Sequence, residues 1–261
     1  MSIVELFARA EQADGSLVLT VPETWLQGRT TFGGFSAALM LAAASRAGGE
    51  GLPPLRSAQF ALIAPVMGEV TASAQVLRRG RNATWIEARI ACGGNIAITA
   101  SFVFMGPVDS KLHVHDSPAP EGLVPVETAR AVTFKPPTPA FVVNHFESRY
   151  ARPPVPQPRA EVCHWIRPMD WQTLDPMMAL LLTGDAVPPG VMPLLTAAVP
   201  VSTMHWQVNL LTPAPVTRDG WWLVRSVGDY AEKGCTSQRI GLWNADGEAV
   251  VAEMQSVALF G

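Results

Sequence analysis

Between positions 35 and 46 the chain reads Phe-Ser-Ala-Ala-Leu-Met-Leu-Ala-Ala-Ala-Ser-Arg, with apolar side chains on every side of a helical wheel. Ala, Leu and Met are strong helix formers, and a helix apolar all round must be buried on nearly every side. Gly33-Gly34 precedes this run, and Thr30 or Thr31 is placed to cap its start. A short alternating strand is expected at 16–21. After the helix come four β-branched or alternating stretches, 55–64, 70–77, 84–91 and 95–105, separated by Pro65, Gly68, Arg79-Gly80-Arg81-Asn82 and Gly93-Gly94. Such breaks are hairpin punctuation. From 106 to 140 the pattern dissolves into a proline-rich connection that includes Pro107, Pro118, Pro120, Pro125, Pro136, Pro137 and Pro139. The first pattern then returns, with strands at 141–152 and 162–167, a helix over 176–186, and strands at 199–211, 222–229, 236–243 and 249–260. Asp175-Pro176 is a good start for the second helix, because Asp accepts from free first-turn N–H groups and Pro occupies a position whose N–H has no partner to lose.

Strand, helix, then a run of antiparallel strands, present twice, predicts an α+β double hotdog: two tandem units, each a buried helix wrapped by an antiparallel sheet. The expected boundaries are 1–106 for the first unit, 107–140 for the linker and 141–261 for the second unit. Paired glycines suit the mouth of such a sheet, where backbone must approach backbone closely.

Composition narrows the function classes. The 261 residues are 48% hydrophobic and 16% charged, ample for a large core. A net charge of −3, with Arg78, Arg79 and Arg81 the sole basic cluster, gives no nucleic-acid footprint. Cys92, Cys163 and Cys235 are widely spaced, without a Cys-x-x-Cys pair, so neither a disulfide framework nor structural zinc is expected, and a cytoplasmic location fits. Met1 to Asp14 has no secretory signal pattern, and the greasiest run falls short of the ~20 residues a bilayer needs. No dinucleotide fingerprint, P-loop or helical His-Glu-x-x-His occurs, and Gly34-Phe35-Ser36 continues Ala37-Ala38 instead of completing a nucleophile elbow. No metal or cofactor is expected.

Particular residues then carry a resemblance. Phe32-Gly33-Gly34 at the helix start, Ser117-Pro118-Ala119-Pro120-Glu121-Gly122-Leu123 in the linker, Thr203 in a late strand, and Gly247, Val250 and Gln255 at the last hairpin and strand together resemble the acyl-CoA thioesterase II family of double-hotdog proteins. That resemblance covers nearly the whole chain. It implies hydrolysis of an acyl-CoA thioester by a water held on a trio of aspartate, threonine and glutamine, which fall here on Asp185, Thr203 and Gln255. Coenzyme A enters as part of the substrate. Members usually carry Asp-His shortly after the threonine, where this chain has His205-Trp206.

The chemistry of the residue types agrees. An aspartate at a buried helix end suits a general base, an effect worth ~10²–10⁴ in rate. Backbone N–H groups at Gly33 and Gly34, at the positive end of a helix, suit an oxyanion. His205 is a further candidate for base or substrate contact. Arg78, Arg79 and Arg81 are candidate partners of coenzyme A phosphates. The same residues also fit plain structural roles: Asp185 as a helix stop, Thr203 on a solvated face with His205, Gln207 and Asn209, Gln255 on a half-buried strand with Glu253 and Val257, the glycines as a turn, and the arginines as a solvated hairpin tip. The reading carried forward is an acyl-CoA hydrolase. Its alternatives are an acyl-CoA-binding protein without efficient hydrolysis and a hotdog enoyl-CoA hydratase. A homodimer is expected by analogy of fold.

Overall fold

The computed structural model describes residues 2–13, 15–135, 137–197 and 199–260; Met1, Asp14, Pro136, Ala198 and Gly261 lie outside the described residues. The first half runs α1 (Ile3–Ala8), β1 (Glu11–Ala13), β2 (Ser16–Thr20), β3 (Leu26–Gln27), β4 (Thr30–Thr31), α2 (Gly33–Gly48), β5 (Leu55–Leu62), β6 (Glu69–Arg79), β7 (Ala83–Cys92) and β8 (Asn95–Met105). The second half runs α3 (Ala140–His145), β9 (Phe146–Tyr150), β10 (Glu161–Pro168), α4 (Pro176–Gly184), β11 (Val201–Leu210), β12 (Trp222–Glu232), β13 (Cys235–Asn244) and β14 (Ala249–Leu259). This is the double hotdog that the element order predicted. The two sheets are joined: β5 pairs antiparallel with β11, making one twelve-stranded sheet ordered β1-β2-β6-β7-β8-β5-β11-β14-β13-β12-β10-β9.

Helix α2 is buried along most of its length, Phe35, Ala38, Leu39, Met40 and Ala44 being fully enclosed. It lies against β6, β7 and α4, while α4 packs on β10, β12 and β13. Gly34 explains why the helix opens on glycines: a Cβ there would sit 2.6 Å from the Phe32 ring and 3.1 Å from the Leu181 carbonyl oxygen. The start of α2 thus meets the end of α4 at backbone distance.

Three expectations change. Thr30 and Thr31 do not cap α2, whose N-cap is Phe32 with no side-chain bond. They tie down segment 62–66 instead: Thr31 donates from Oγ1 to the Val66 carbonyl at 2.7 Å, and Thr30 Oγ1 accepts from the Val66 N–H at 3.0 Å. The predicted strand 141–152 starts as helix α3, because Pro139 sets its N-cap and Phe141 stacks on Phe32 at 3.9 Å, an aromatic contact between distant segments that strand propensity does not anticipate. The later part of the proline-rich connection lies against the second unit. The Trp243 indole donates to the Ser117 carbonyl, the Trp165 indole to that of Val124, and Val126 and Ala129 are buried with Trp165, Trp221 and Trp243. Asp175 caps α4 as expected, accepting from the N–H groups of Met177 and Met178 at 3.0 and 3.1 Å.

Candidate functional site

Asp185 follows the last residue of α4 and closes it as C-cap. Both of its carboxylate oxygens are engaged. Oδ2 accepts from the Gly34 N–H at 2.9 Å, and Oδ1 accepts from Gln255 Nε2 at 2.9 Å. The first bond caps the other unit's helix from 151 positions away, placing negative charge at the positive end of α2. Gly33 is required for this approach, since a Cβ there would lie 2.5 Å from Asp185 Oδ2.

Gln255 is 3% exposed and belongs to a chain of polar groups. Its Oε1 accepts from Gln238 Nε2 at 2.7 Å, and Gln238 Oε1 accepts from the Gly190 N–H at 2.9 Å and from the Ser226 hydroxyl at 3.3 Å. A backbone N–H only donates, so Gly190 fixes which way the Gln238 amide faces. Gln238 then fixes Gln255, and Gln255 must present its NH2 to Asp185. The aspartate is addressed by an amide whose orientation is set by the Gly190 N–H through Gln238 of the neighbouring strand β13.

Thr203 reaches the same cleft through a bulge. In the β11–β14 ladder Thr203 lies opposite Val257 and His205 opposite Ser256, so Met204 is the extra residue. Val257, Gln255 and Trp206 face inward, and the bulge puts Thr203 on that face although it stands three residues before Trp206. Strict alternation would have grouped Thr203 with His205 and Gln207. The bulge separates them, leaving both exposed on the opposite side.

A cleft of about 130 Å³ opens between the halves. Gly33, Leu62, Pro65, Val66 and Ile98 of the first half wall it, with Asp185, Ser202 and Thr203 of the second. Leu62, Pro65, Val66 and Ile98 form an apolar stretch of the first-half wall beside the polar Gln27, Thr30 and Thr31, and the second half brings the carboxylate and the hydroxyls of Ser202 and Thr203. A small part of Asp185 looks into this space, while its surroundings withdraw it from bulk water. Burial accordingly pushes its carboxyl up from the usual 3.8 to about 6, against the hydrogen bonds from Gln255 and Gly34 that favour the ionised form.

The sign of the stability effect follows. A carboxyl whose pKa rises on folding stabilises the fold below pH 4, and that stabilisation is lost as pH climbs through about 6. The loss is roughly 3 kcal/mol. Urea unfolding of the native protein and of Asp185→Ala should therefore show native stability falling relative to the variant between pH 4 and 7; a pH-independent difference would mean that Asp185 titrates normally.

Not every expected residue belongs here. His205 projects from the outer face and takes no part in the cleft, because the bulge reverses the register between Thr203 and His205. Arg79 donates to the Gly48 carbonyl at the far end of α2, roughly 22 Å along the helix from Gly33. It completes that helix end, and Arg78 and Arg81 are exposed beside it, so the hairpin lies away from the cleft of this chain. The Gly34 N–H, a candidate oxyanion donor, is spent on Asp185. Among the described residues, no group of three or more His, Cys, Asp or Glu is placed to hold a metal, and no helix is long and apolar enough to cross a membrane.

One carboxylate of the site was not singled out from sequence as a functional residue. Glu253 is 5% exposed and accepts at Oε2 from the Trp206 indole at 3.1 Å. It presses on Gly184, where a Cβ would fall 2.2 Å from Glu253 Oε1. The available signal was a carboxylate in the inward register of Val251, Gln255 and Val257.

Two family descriptions match the sequence: an acyl-CoA thioesterase N-terminal domain over residues 21–105 and an acyl-CoA thioesterase C-terminal domain over residues 120–259. No curated protein sequence matches. Among solved structures, a conserved hot dog fold protein of unknown function from Alicyclobacillus acidocaldarius aligns with TM-score 0.87 at 21% identity, covering 100% of this chain and 99% of that one. An acyl-CoA thioesterase II from Mycobacterium marinum aligns with TM-score 0.77 at 17% identity, covering 100% and 99%. A tesB protein of Mycobacterium avium subsp. paratuberculosis aligns with TM-score 0.78 at 18% identity, covering 100% of both chains.

Proposed function

This chain belongs to the acyl-CoA thioesterase family, and on that premise we propose that it hydrolyses an acyl-CoA thioester through a water held by Asp185, Thr203 and Gln255. The observation that carries the reading is the Asp185 carboxylate itself, part-buried, oriented by two donors and facing a cleft, in surroundings that push its carboxyl up to about 6. A base of that strength is ionised at neutral pH yet basic enough to draw a proton from water.

In this scheme Asp185 takes a proton from the water as its oxygen attacks the thioester carbonyl. The tetrahedral intermediate collapses with cleavage of the C–S bond, and Asp185 returns the proton to the leaving coenzyme A sulfur. Gln255 keeps the carboxylate facing the cleft, and the Thr203 hydroxyl orients the water. Since the cleft spans both halves, neither unit makes the site alone.

The apolar stretch of Leu62, Pro65, Val66 and Ile98 takes the acyl group next to the thioester. The test is thiol release from a panel of short, medium, long and aromatic acyl-CoAs. The expected result is turnover of at least one member, with the preferred acyl group read from kcat/KM. Absence of release from every member, with a non-hydrolysable analogue still bound, would replace this reading with that of an acyl-CoA-binding protein.

A further inference from the structure

The least expected group near the cleft is Glu253. It stands two positions before Gln255 on β14, so the two side chains share a face. Its Oε2 is held by the Trp206 indole at 3.1 Å, while Oε1 is buried without a hydrogen-bond partner among the described residues. The carboxyl lies directly against Gly184, the residue before Asp185. Val208 of β11 and Ile240 of β13 lie opposite Glu253 in the sheet, and both are buried. The ionisable group that acts on Glu253 is Asp185, a second carboxyl.

Stability does not account for this residue. A half-satisfied buried carboxyl costs free energy that an aliphatic side chain of similar volume would not. The chain nonetheless keeps it, together with the tryptophan that binds it, at the point where α4 delivers Asp185. We propose that Glu253 is a positioning residue of the hydrolytic site: wedged under Gly184 and pinned by Trp206, it fixes where Asp185 sits. Burial and the neighbouring Asp185 raise the Glu253 carboxyl well above its ordinary 4.5, and the proposal gives it the part of the protonated partner while Asp185 works as a base. Two carboxyls in unequal surroundings thereby take unequal roles. When Glu253 ionises, two negative charges adjoin and the last turn of α4 no longer holds Asp185 in place. The kinetic consequences rest on the hydrolase reading above; the Trp206–Glu253 coupling does not.

The experiment pairs a spectroscopic readout with a kinetic one. The Trp206 indole N–H, assigned in a ¹H–¹⁵N correlation spectrum with the help of Trp206→Phe, is followed with pH in the native protein and in Glu253→Gln. The peak is expected to titrate with a midpoint well above 4.5 in the native protein and to lose that titration in the variant. For kinetics, Glu253→Leu is expected to lower kcat about tenfold or more with KM little changed, since a misplacement of 1 Å can cost 10²-fold. Glu253→Gln, which keeps an acceptor for Trp206, is expected to recover part of that loss and to lack the fall in kcat that accompanies ionisation of Glu253.

An indole peak that titrates alike in both proteins overturns the proposal, as does native kcat in Glu253→Leu. So does a shift of the acid limb to lower pH in Glu253→Gln, which would mean that Glu253 is already ionised near neutrality. If no acyl-CoA is turned over, the hydrolase reading fails, and the indole titration still decides whether Glu253 is the neutral partner of Trp206.

Discussion

Asp185→Ala is expected to lower kcat/KM for the best acyl-CoA by about 10²–10⁴-fold while leaving binding of a non-hydrolysable analogue nearly intact. Alanine removes the proton acceptor without adding bulk. The space it vacates opens on the cleft, so water can satisfy the Gly34 N–H and Gln255 Nε2 that the carboxylate held. The fold should therefore survive, and the variant should be relatively more stable above pH 6, where the native protein keeps a carboxylate ionised in a poorly hydrated place. In the native protein kcat/KM should rise with pH through about 6, because only the ionised carboxyl accepts a proton. Retention of more than about a tenth of native activity in Asp185→Ala would remove the general base from the scheme.

Gly33→Ala is expected to lower kcat by roughly 10²-fold, through displacement of Asp185 and not through the backbone. Gly33 occupies the first position of α2, where alanine is the better helix former. The added methyl would sit 2.5 Å from Asp185 Oδ2, so the carboxylate must move, while Leu62 Cδ2 at 3.6 Å would be in ordinary contact. The aspartate is held by Gln255, and Gln255 by Gln238 and Gly190, so a shift of about 1 Å breaks at least one bond of that chain. Overpacking of this kind costs about 1–3 kcal/mol in stability. Melting temperature and kcat measured together separate the two effects: a folded protein with native kcat would mean that the glycine is a turn device only.

Much of this was legible in the chain. The all-apolar run at 35–46 demanded an enclosing sheet, the alternating stretches after each helix supplied one, and their repetition gave the duplicate architecture. Asp185, Thr203 and Gln255 were marked by resemblance, yet their residue patterns permitted a second, structural meaning. Strand alternation assigned Thr203 to the solvated side because period two assumes an unbroken ladder, and nothing in Ser202-Thr203-Met204-His205 announces the bulge. His205 and Arg79 are residue types suited to catalysis and to phosphate, but type does not give direction: one points outward, and the other completes a helix end.

What the sequence by itself determined is local and periodic: which segments are helical or extended, which faces are apolar, and where glycine or proline interrupts them. Those properties depend on neighbours one to four positions apart. What only the tertiary structure decided is the site. Its bonds join Gly34 to Asp185, Asp185 to Gln255 and Trp206 to Glu253, pairs separated by 151, 70 and 47 positions, and no local period encodes such distances. The raised proton affinity of Asp185 has the same origin, since burial is a property of everything packed around a carboxyl and not of the residues beside it in the chain.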